Sequence, residues 1–212
     1  MPGTSPVVLI LGAGPRVGLP TARAFAAKGY KVAVVARSLN EADSTDSQLN
    51  IKSDFANPDD VVNAFTKVKK NLGIPSVVIY NAGAATFSSP GDPFAIPLDA
   101  FKRDMAVNNT SVFVAAQQAV LGFKELPADA PRVFAFTGNI LNVRPLPQFL
   151  ESGAGKFYYV DERKADGSAA FKIDGEAHAK LFWELAEAKT QGPWLQTFVK
   201  GVGYKDFGPY QF

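Results

Sequence analysis

Apolar positions fall along this chain in two alternating patterns. Mainly apolar runs at 7–11, 31–36, 76–80, 132–136, 157–160 and 195–199 predict strands, and a weaker run at 49–53 predicts another. Between them, apolar residues recur at helical spacing over 19–28, 57–72, 98–123 and 174–189. Local chemistry marks the helix ends. Gly29 and Gly73 close two of them, and Asn57-Pro58-Asp59-Asp60 opens one with a cap, a first-turn proline and two acids at the positive dipole end. Val61, Val62, Phe65 and Val68 form that helix's apolar face. Phe101, Met105, Val112, Ala115 and Ala119 form one stripe on the predicted 98–123 helix.

Repeated strand–helix units predict a single α/β domain, a parallel sheet with helices on both faces. One connection departs from this rule. Parallel neighbours need a crossover that packs back over the sheet, usually a helix. The segment between strands 132–136 and 157–160 carries Pro145, Pro147, Gly153 and Gly155 and no helical stripe. The crossover after the fifth strand is therefore expected to be shortened, leaving one sheet face under-covered.

Composition narrows the function classes. With 212 residues, 47% of them hydrophobic and 20% charged, the chain has the make-up of a globular domain. A net charge of +2 argues against a nucleic-acid partner and against a membrane surface. The run at 7–11 is too short to span a bilayer and has no basic segment before it, so a cytoplasmic location is expected. The absence of cysteine removes disulfides and thiolate chemistry, and a lone histidine removes multi-histidine metal sites. No metal is expected. That histidine, His178, lies on the surface-prone start of the last helix, where a hydrogen-bonded structural role is the expectation and a catalytic one the alternative. Trp183 and Trp194 read as packing residues.

The candidate chemistry begins at 7–37. An apolar strand runs into Gly12-Ala13-Gly14-Pro15-Arg16-Val17-Gly18, and a helix of small residues comes next. Glycines let a backbone approach a pyrophosphate closely, and the helix start offers free N–H groups and a positive dipole end. Further along stand Asp54-Phe55 after the third strand, Asn81-Ala82-Gly83 after the fourth, and Val107-Asn108-Asn109-Thr110-Ser111-Val112-Phe113. In this order the motifs resemble the short-chain dehydrogenase/reductase superfamily, and the resemblance implies a Rossmann-type doubly wound sheet that binds NAD(P). Gly12 and Gly18 match the outer glycines of the family's Gly-x-x-x-Gly-x-Gly, Arg16 stands at the middle one, and Gly14 is the nearby substitute. The resemblance implies cofactor contacts at Gly12, Gly14, Arg16, Val17, Gly18, Asp54, Phe55, Asn81, Ala82 and Gly83. It makes Asn108 the catalytic asparagine. Two plainer roles stay open: Asp54 as a loop cap and Asn108 as a tie on backbone.

Where an NAD-binding member of such a fold carries an acid after the second strand, this chain carries Arg37 and then Ser38. A guanidinium pairs with a 2′-phosphate, and Arg16 adds a second cation, so NADP(H) is expected over NAD(H) unless both arginines are solvated surface residues. Neither the family's serine nor the tyrosine of its Tyr-x-x-x-Lys is present. Gly138 or Asn139 takes the serine's place, with Thr137 as a further hydrogen-bonding group. Ser152-Gly153-Ala154-Gly155-Lys156 has the spacing of Tyr-x-x-x-Lys, thirteen residues beyond Asn139, with serine for tyrosine. By resemblance Lys156 holds the nicotinamide ribose, with an ordinary surface lysine as the plainer alternative, while Ser152, an aliphatic hydroxyl, is a poor proton donor. Tyr158 and Tyr159 are expected to pack rather than react.

Residues 157–163 and 173–179 also resemble a divergent, largely fungal branch in which a full helix separates Gly-x-Gly-Lys from the Phe-Tyr-Tyr strand. Here Lys156 runs directly into Phe157. The catalytic helix therefore reads as deleted, by evolution or by incorrect splicing. The resemblance also implies homo-oligomers, weakened by the lost helix. The expected division is a cofactor-binding core at 7–160, with substrate loop, last helix and last strand at 161–212. Three functions stay open: an NADP(H)-dependent oxidoreductase for a small carbonyl or alcohol, an NADP-binding pseudoenzyme, or a truncated product.

Overall fold

The computed structural model describes residues 5–86, 96–138 and 156–208. Strands β1 (Val7–Leu11), β2 (Lys31–Ala36), β3 (Gln48–Lys52), β4 (Val77–Tyr80), β5 (Val133–Thr137), β6 (Lys156–Arg163), β7 (Leu195–Val199) and β8 (Gly203–Tyr204) form one sheet. Their order is β3-β2-β1-β4-β5-β6-β7-β8, parallel throughout except for β8, which pairs antiparallel with β7. The order reverses between β1 and β4, so a crevice opens beyond their carboxyl ends, where open α/β sheets bind ligands.

Strand periodicity divides the core in two. Val8, Ile10, Val32, Val34, Val77, Ile79, Ala135 and Val160 point to one face, covered by α1 (Gly18–Ala26) and α5 (Gly175–Glu187). Leu9, Leu11, Val35, Ile51, Val78, Tyr80 and Phe134 point to the other, covered by α2 (Asp59–Asn71) and α4 (Ser111–Phe123). On the first face Phe25 packs edge-on against Tyr30 and Trp183, joining α1 to α5. The doubly wound architecture expected from sequence is thus present in one sheet.

Three elements differ from the pattern. The predicted 98–123 helix is α3 (Leu98–Met105), a wide π turn (Ala106–Thr110) and α4. An extra residue in a π turn rotates the downstream helix by ~100°. The stripe therefore breaks: Ala115 and Ala119 are buried, whereas Phe101 and Met105 are 53% and 43% exposed. Strand β6 runs three residues past the predicted 157–160 end. Asp161, Glu162 and Arg163 are buried there, with Arg163 Nε donating to Asp161 Oδ2 at 2.6 Å. Strand β8 is too short to leave a pattern.

Residues 138–155 connect β5 to β6, and Val133 is level with Lys156 in the ladder. Of this connection, 139–155 lie outside the described residues.

The packing predicts contrasting costs. Phe25→Ala removes a fully buried ring and is expected to cost about 3 to 5 kcal/mol. Phe113→Ala, at a ring 61% exposed on α4, should stay within about 0.5 kcal/mol of the parent. Urea denaturation of both variants measures the difference.

Candidate functional site

The turn after β1 is gripped by three strands. Gly12 and Ala13 both donate their N–H to Val35 C=O of β2 at 2.9 Å. Asn81 and Ala82, leaving β4, donate theirs to Leu11 C=O at 2.7 and 3.0 Å. The Asn81 side chain adds Nδ2 to Gly12 C=O at 2.8 Å. Gly12 has φ +102°, and a Cβ there would overlap Ala82 N. Both facts demand glycine. At Gly18 a Cβ would collide with Gly12 C=O and Ala13 Cα. Gly14 differs: a Cβ there would meet nothing within 4 Å, so its backbone borders open space.

Arg16 and Val17 lead into α1, and their N–H groups have no partner among the described residues. No side chain caps the helix. This end of α1 thus pairs free donors with the positive end of a dipole. Arg16 and Arg37 are exposed and have no carboxylate or carbonyl partner among the described residues, unlike Arg23, Arg103, Arg132 and Arg163. Arg37 comes directly after β2, two residues past the Val35 carbonyl that anchors the turn.

The remaining residues on the cofactor side divide. Asp54 is exposed, and its Oδ1 accepts from Ala56 N–H at 3.1 Å, the loop-capping role. Phe55 is buried, its ring 5.8 Å from Tyr80, and its carbonyl accepts from Ser111 Oγ at 2.7 Å. Gly83 is exposed beside Asn108. Asn108 sits in the π turn, which Tyr80 pins by donating its hydroxyl to Val107 C=O at 2.6 Å. The Asn108 amide donates to Ala84 C=O at 2.6 Å and accepts from Ala84 N–H at 3.0 Å. It ties down the chain leaving β4.

Of the four residues expected in the catalytic half, Asn108 and Lys156 lie among the described residues. Asn139 and Ser152 lie outside the described residues. Lys156 begins β6, at the amino edge of the sheet, opposite the edge that carries Gly12. Its Nζ donates to the carbonyls of Leu185 at 3.1 Å, Ala186 at 2.9 Å and Ala188. It caps the carboxyl end of α5 instead of meeting a nicotinamide ribose, and half-burial there lowers its pKa, with Glu187 opposing. Tyr158 and Tyr159 are buried as expected, and burial raises the Tyr158 pKa.

The sequence pattern gives no warning of a cavity of about 220 Å³ at the carboxyl ends of β5 and β6. Val17, Thr137, Gly138, Glu162 and His178 are among the residues lining it. His178 is 2% exposed, not on the surface. Its Nδ1 lies 2.9 Å from Asp174 C=O and 3.5 Å from Glu162 Oε2. Glu162 Oε2 also accepts from Asp174 N–H at 2.7 Å, and Asp174 caps α5 by accepting from Ala177 N–H. Thr137 Oγ1 is buried without a partner. One signal in the sequence bears on the strand that walls it: no glycine or proline separates Val160 from Arg163, so nothing there ends β6.

Comparison with known proteins agrees with this geometry. The short chain dehydrogenase family model matches residues 6–143. The short chain dehydrogenase/reductase dmxR12 of Cryptosporiopsis sp. is 40% identical, with 96% of each chain covered. The 3-ketoacyl-(acyl-carrier-protein) reductase of Brucella melitensis, solved with NADH, aligns with a TM-score of 0.72 at 18% identity, covering 94% of this chain and 99% of that one. The NADPH-dependent 3-quinuclidinone reductase of Rhodotorula rubra aligns at 0.70 and 21% identity, covering 93% and 90%. The two solved structures share the fold, and the family match with the 40% relative goes further: this chain belongs to the short-chain dehydrogenase/reductase family.

Proposed function

We propose that this chain binds NADP(H) in preference to NAD(H) across the β1 turn and moves hydride between it and a small carbonyl or alcohol. The observation that carries the preference is the pair of unpartnered guanidiniums, Arg16 and Arg37, beside the turn. The open space at Gly14 and the free N–H groups of Arg16 and Val17 suit a pyrophosphate. Arg37 would take the 2′-phosphate, and the unshared oxygen of Asp54 would take the adenine. Bound there, the nicotinamide supplies or accepts the hydride. Asn108 holds the chain after β4, and so the floor of the site, in place.

A second reading, binding without efficient turnover in a shortened chain, has its own support. The alignment to the Cryptosporiopsis relative spans 237 positions, and 96% of this 212-residue chain fills about 204 of them. About 33 positions of that relative therefore have no counterpart here. The family match also stops at residue 143, in the connection after β5. Loss of a helix between β5 and β6 accounts for both, and for a Lys156 that opens a strand. Transcript reads running uninterrupted across Lys156–Phe157 would exclude a splicing error as the cause.

Three variants separate these readings. Arg37→Asp should weaken NADPH binding by about 1.5 to 3 kcal/mol, roughly 10- to 100-fold, and leave NADH binding equal or tighter, read by fluorescence titration. Gly12→Ala should abolish binding of both cofactors and lower the denaturation midpoint, because neither its φ nor its contact with Ala82 accepts a side chain. Lys156→Met should lower the midpoint while leaving NADPH affinity unchanged, since Nζ serves α5. Weakened NADPH binding in Lys156→Met would restore its ribose role.

A further inference from the structure

Two polar groups in the cavity at the carboxyl ends of β5 and β6 have hydrogen-bonding capacity that the fold leaves unused. One is the Thr137 hydroxyl, buried without a partner. The other belongs to His178. Its Nδ1 faces Asp174 C=O at 2.9 Å, so Nδ1 carries the proton. Nε2 then presents a lone pair with no partner among the described residues. An unmade hydrogen bond at a buried polar group costs about 1 to 3 kcal/mol, so the Thr137 hydroxyl calls for an explanation, and His178 lines the same cavity.

Structural duty explains the rest of the cluster but not these two groups. Glu162 Oε2 and His178 Nδ1 both engage the Asp174 backbone, fastening the start of α5 to the end of β6. An asparagine amide would serve Asp174 C=O equally well. The cavity also touches the glycine turn. Val17 lines it, and Gly175 packs so closely on Arg16 C=O that a Cβ there would overlap the oxygen. The first turn of α5, with His178, is therefore seated beside the start of α1.

We propose that this cavity receives the substrate oxygen and that His178 Nε2 exchanges the proton with it. Thr137 Oγ1 hydrogen-bonds the same oxygen, and Glu162 is a positioning residue behind the ring. The assignment rests on NADP(H) binding at the β1 turn. In the oxidative direction the carbinol C–H bond of a secondary alcohol breaks, and its electron pair leaves as hydride to the oxidised nicotinamide. The O–H bond breaks and its proton passes to Nε2. The products are a ketone, the reduced cofactor and an imidazolium that returns its proton to water. Reduction runs the same steps backward. Burial holds the imidazole below its ordinary pKa, against the pull of Asp174, Glu162 and Asp161. Arg163 offsets Asp161, and Lys200 pairs with Asp174 at 2.6 Å. A neutral ring at pH 7 accepts the alcohol's proton. Oxidation should thus rise with pH through the imidazole's pKa, and reduction should fall.

His178 is the chain's single histidine, so its ring is read directly by NMR of the full protein. Probes are acetone, cyclohexanone and acetophenone with NADPH, and their alcohols with NADP+. The His178→Asn variant keeps a donor toward Asp174 C=O and removes Nε2. It is expected to bind NADPH within about two-fold of the parent and to lose about 100-fold or more in kcat, together with the low-pH limb of oxidation. Thr137→Val, a gentler change, should lower kcat/KM about 10-fold without altering NADPH affinity. In the parent with NADP+, a turned-over alcohol should shift the imidazole resonances. The assignment is overturned by turnover within two-fold in His178→Asn, by an unmoved imidazole, or by a parent that binds NADPH and turns over none of the probes. Failure of the parent to bind NADPH overturns the cofactor reading itself.

Discussion

The fold's functional geometry depends on one close contact, between the turn after β1 and the chain leaving β4. Gly12 lies against the Asn81–Ala82 backbone, at a φ that side chains rarely adopt. Asn81 closes the contact from one side and Val35 C=O from the other. Three parallel strands thereby share one hydrogen-bonded knot at their carboxyl ends. The knot sets where α1 begins, and the start of α1 sets where free N–H groups face outward. It also places Arg16 and the residue after β2, Arg37, on the same edge of the sheet. Glycine adopts this φ without steric penalty, so the contact forms unstrained only with glycine at position 12.

A second constraint sits at the end of β6. Asp161, Glu162 and Arg163 continue the strand into the interior instead of leaving it. Buried charges persist when their hydrogen bonds are made, and here Arg163 satisfies Asp161 while Glu162 meets the cap of α5. Together with the seating of Gly175 on Arg16, this joins the last helix to the first turn. The cofactor edge and the cavity beside it are one mechanical unit. At the opposite edge Lys156 fastens the other end of α5, so the helix is held at both termini by β6.

Much of this is legible in the sequence, for identifiable reasons. Strand β1 is an uninterrupted apolar run and β2 one after its first residue, Lys31, and the pattern gives the bounds of both. The glycine turn is legible because positive φ and close approach restrict the residue type. The π turn is not, since an inserted residue changes the helical face without altering composition, and so the exposure of Phe101 and Met105 escapes the pattern. The end of β6 escapes it because three charged residues read as loop until their partners are known. Lys156 matches a family motif by spacing, but spacing does not show on which edge of a sheet a residue emerges, and here Lys156 opens β6 at the amino edge.

The central claim is that the knot at the β1 turn is a dinucleotide site biased toward a 2′-phosphate. Amide hydrogen exchange, followed with and without NADPH and NADH, tests it most directly. The account predicts that NADPH slows exchange at Gly12–Gly18, at Arg37 and at Asn81–Gly83, and that NADH at equal concentration leaves Arg37 unprotected. Unchanged exchange across 12–18 with saturating NADPH, or equal protection of Arg37 by both cofactors, would contradict it.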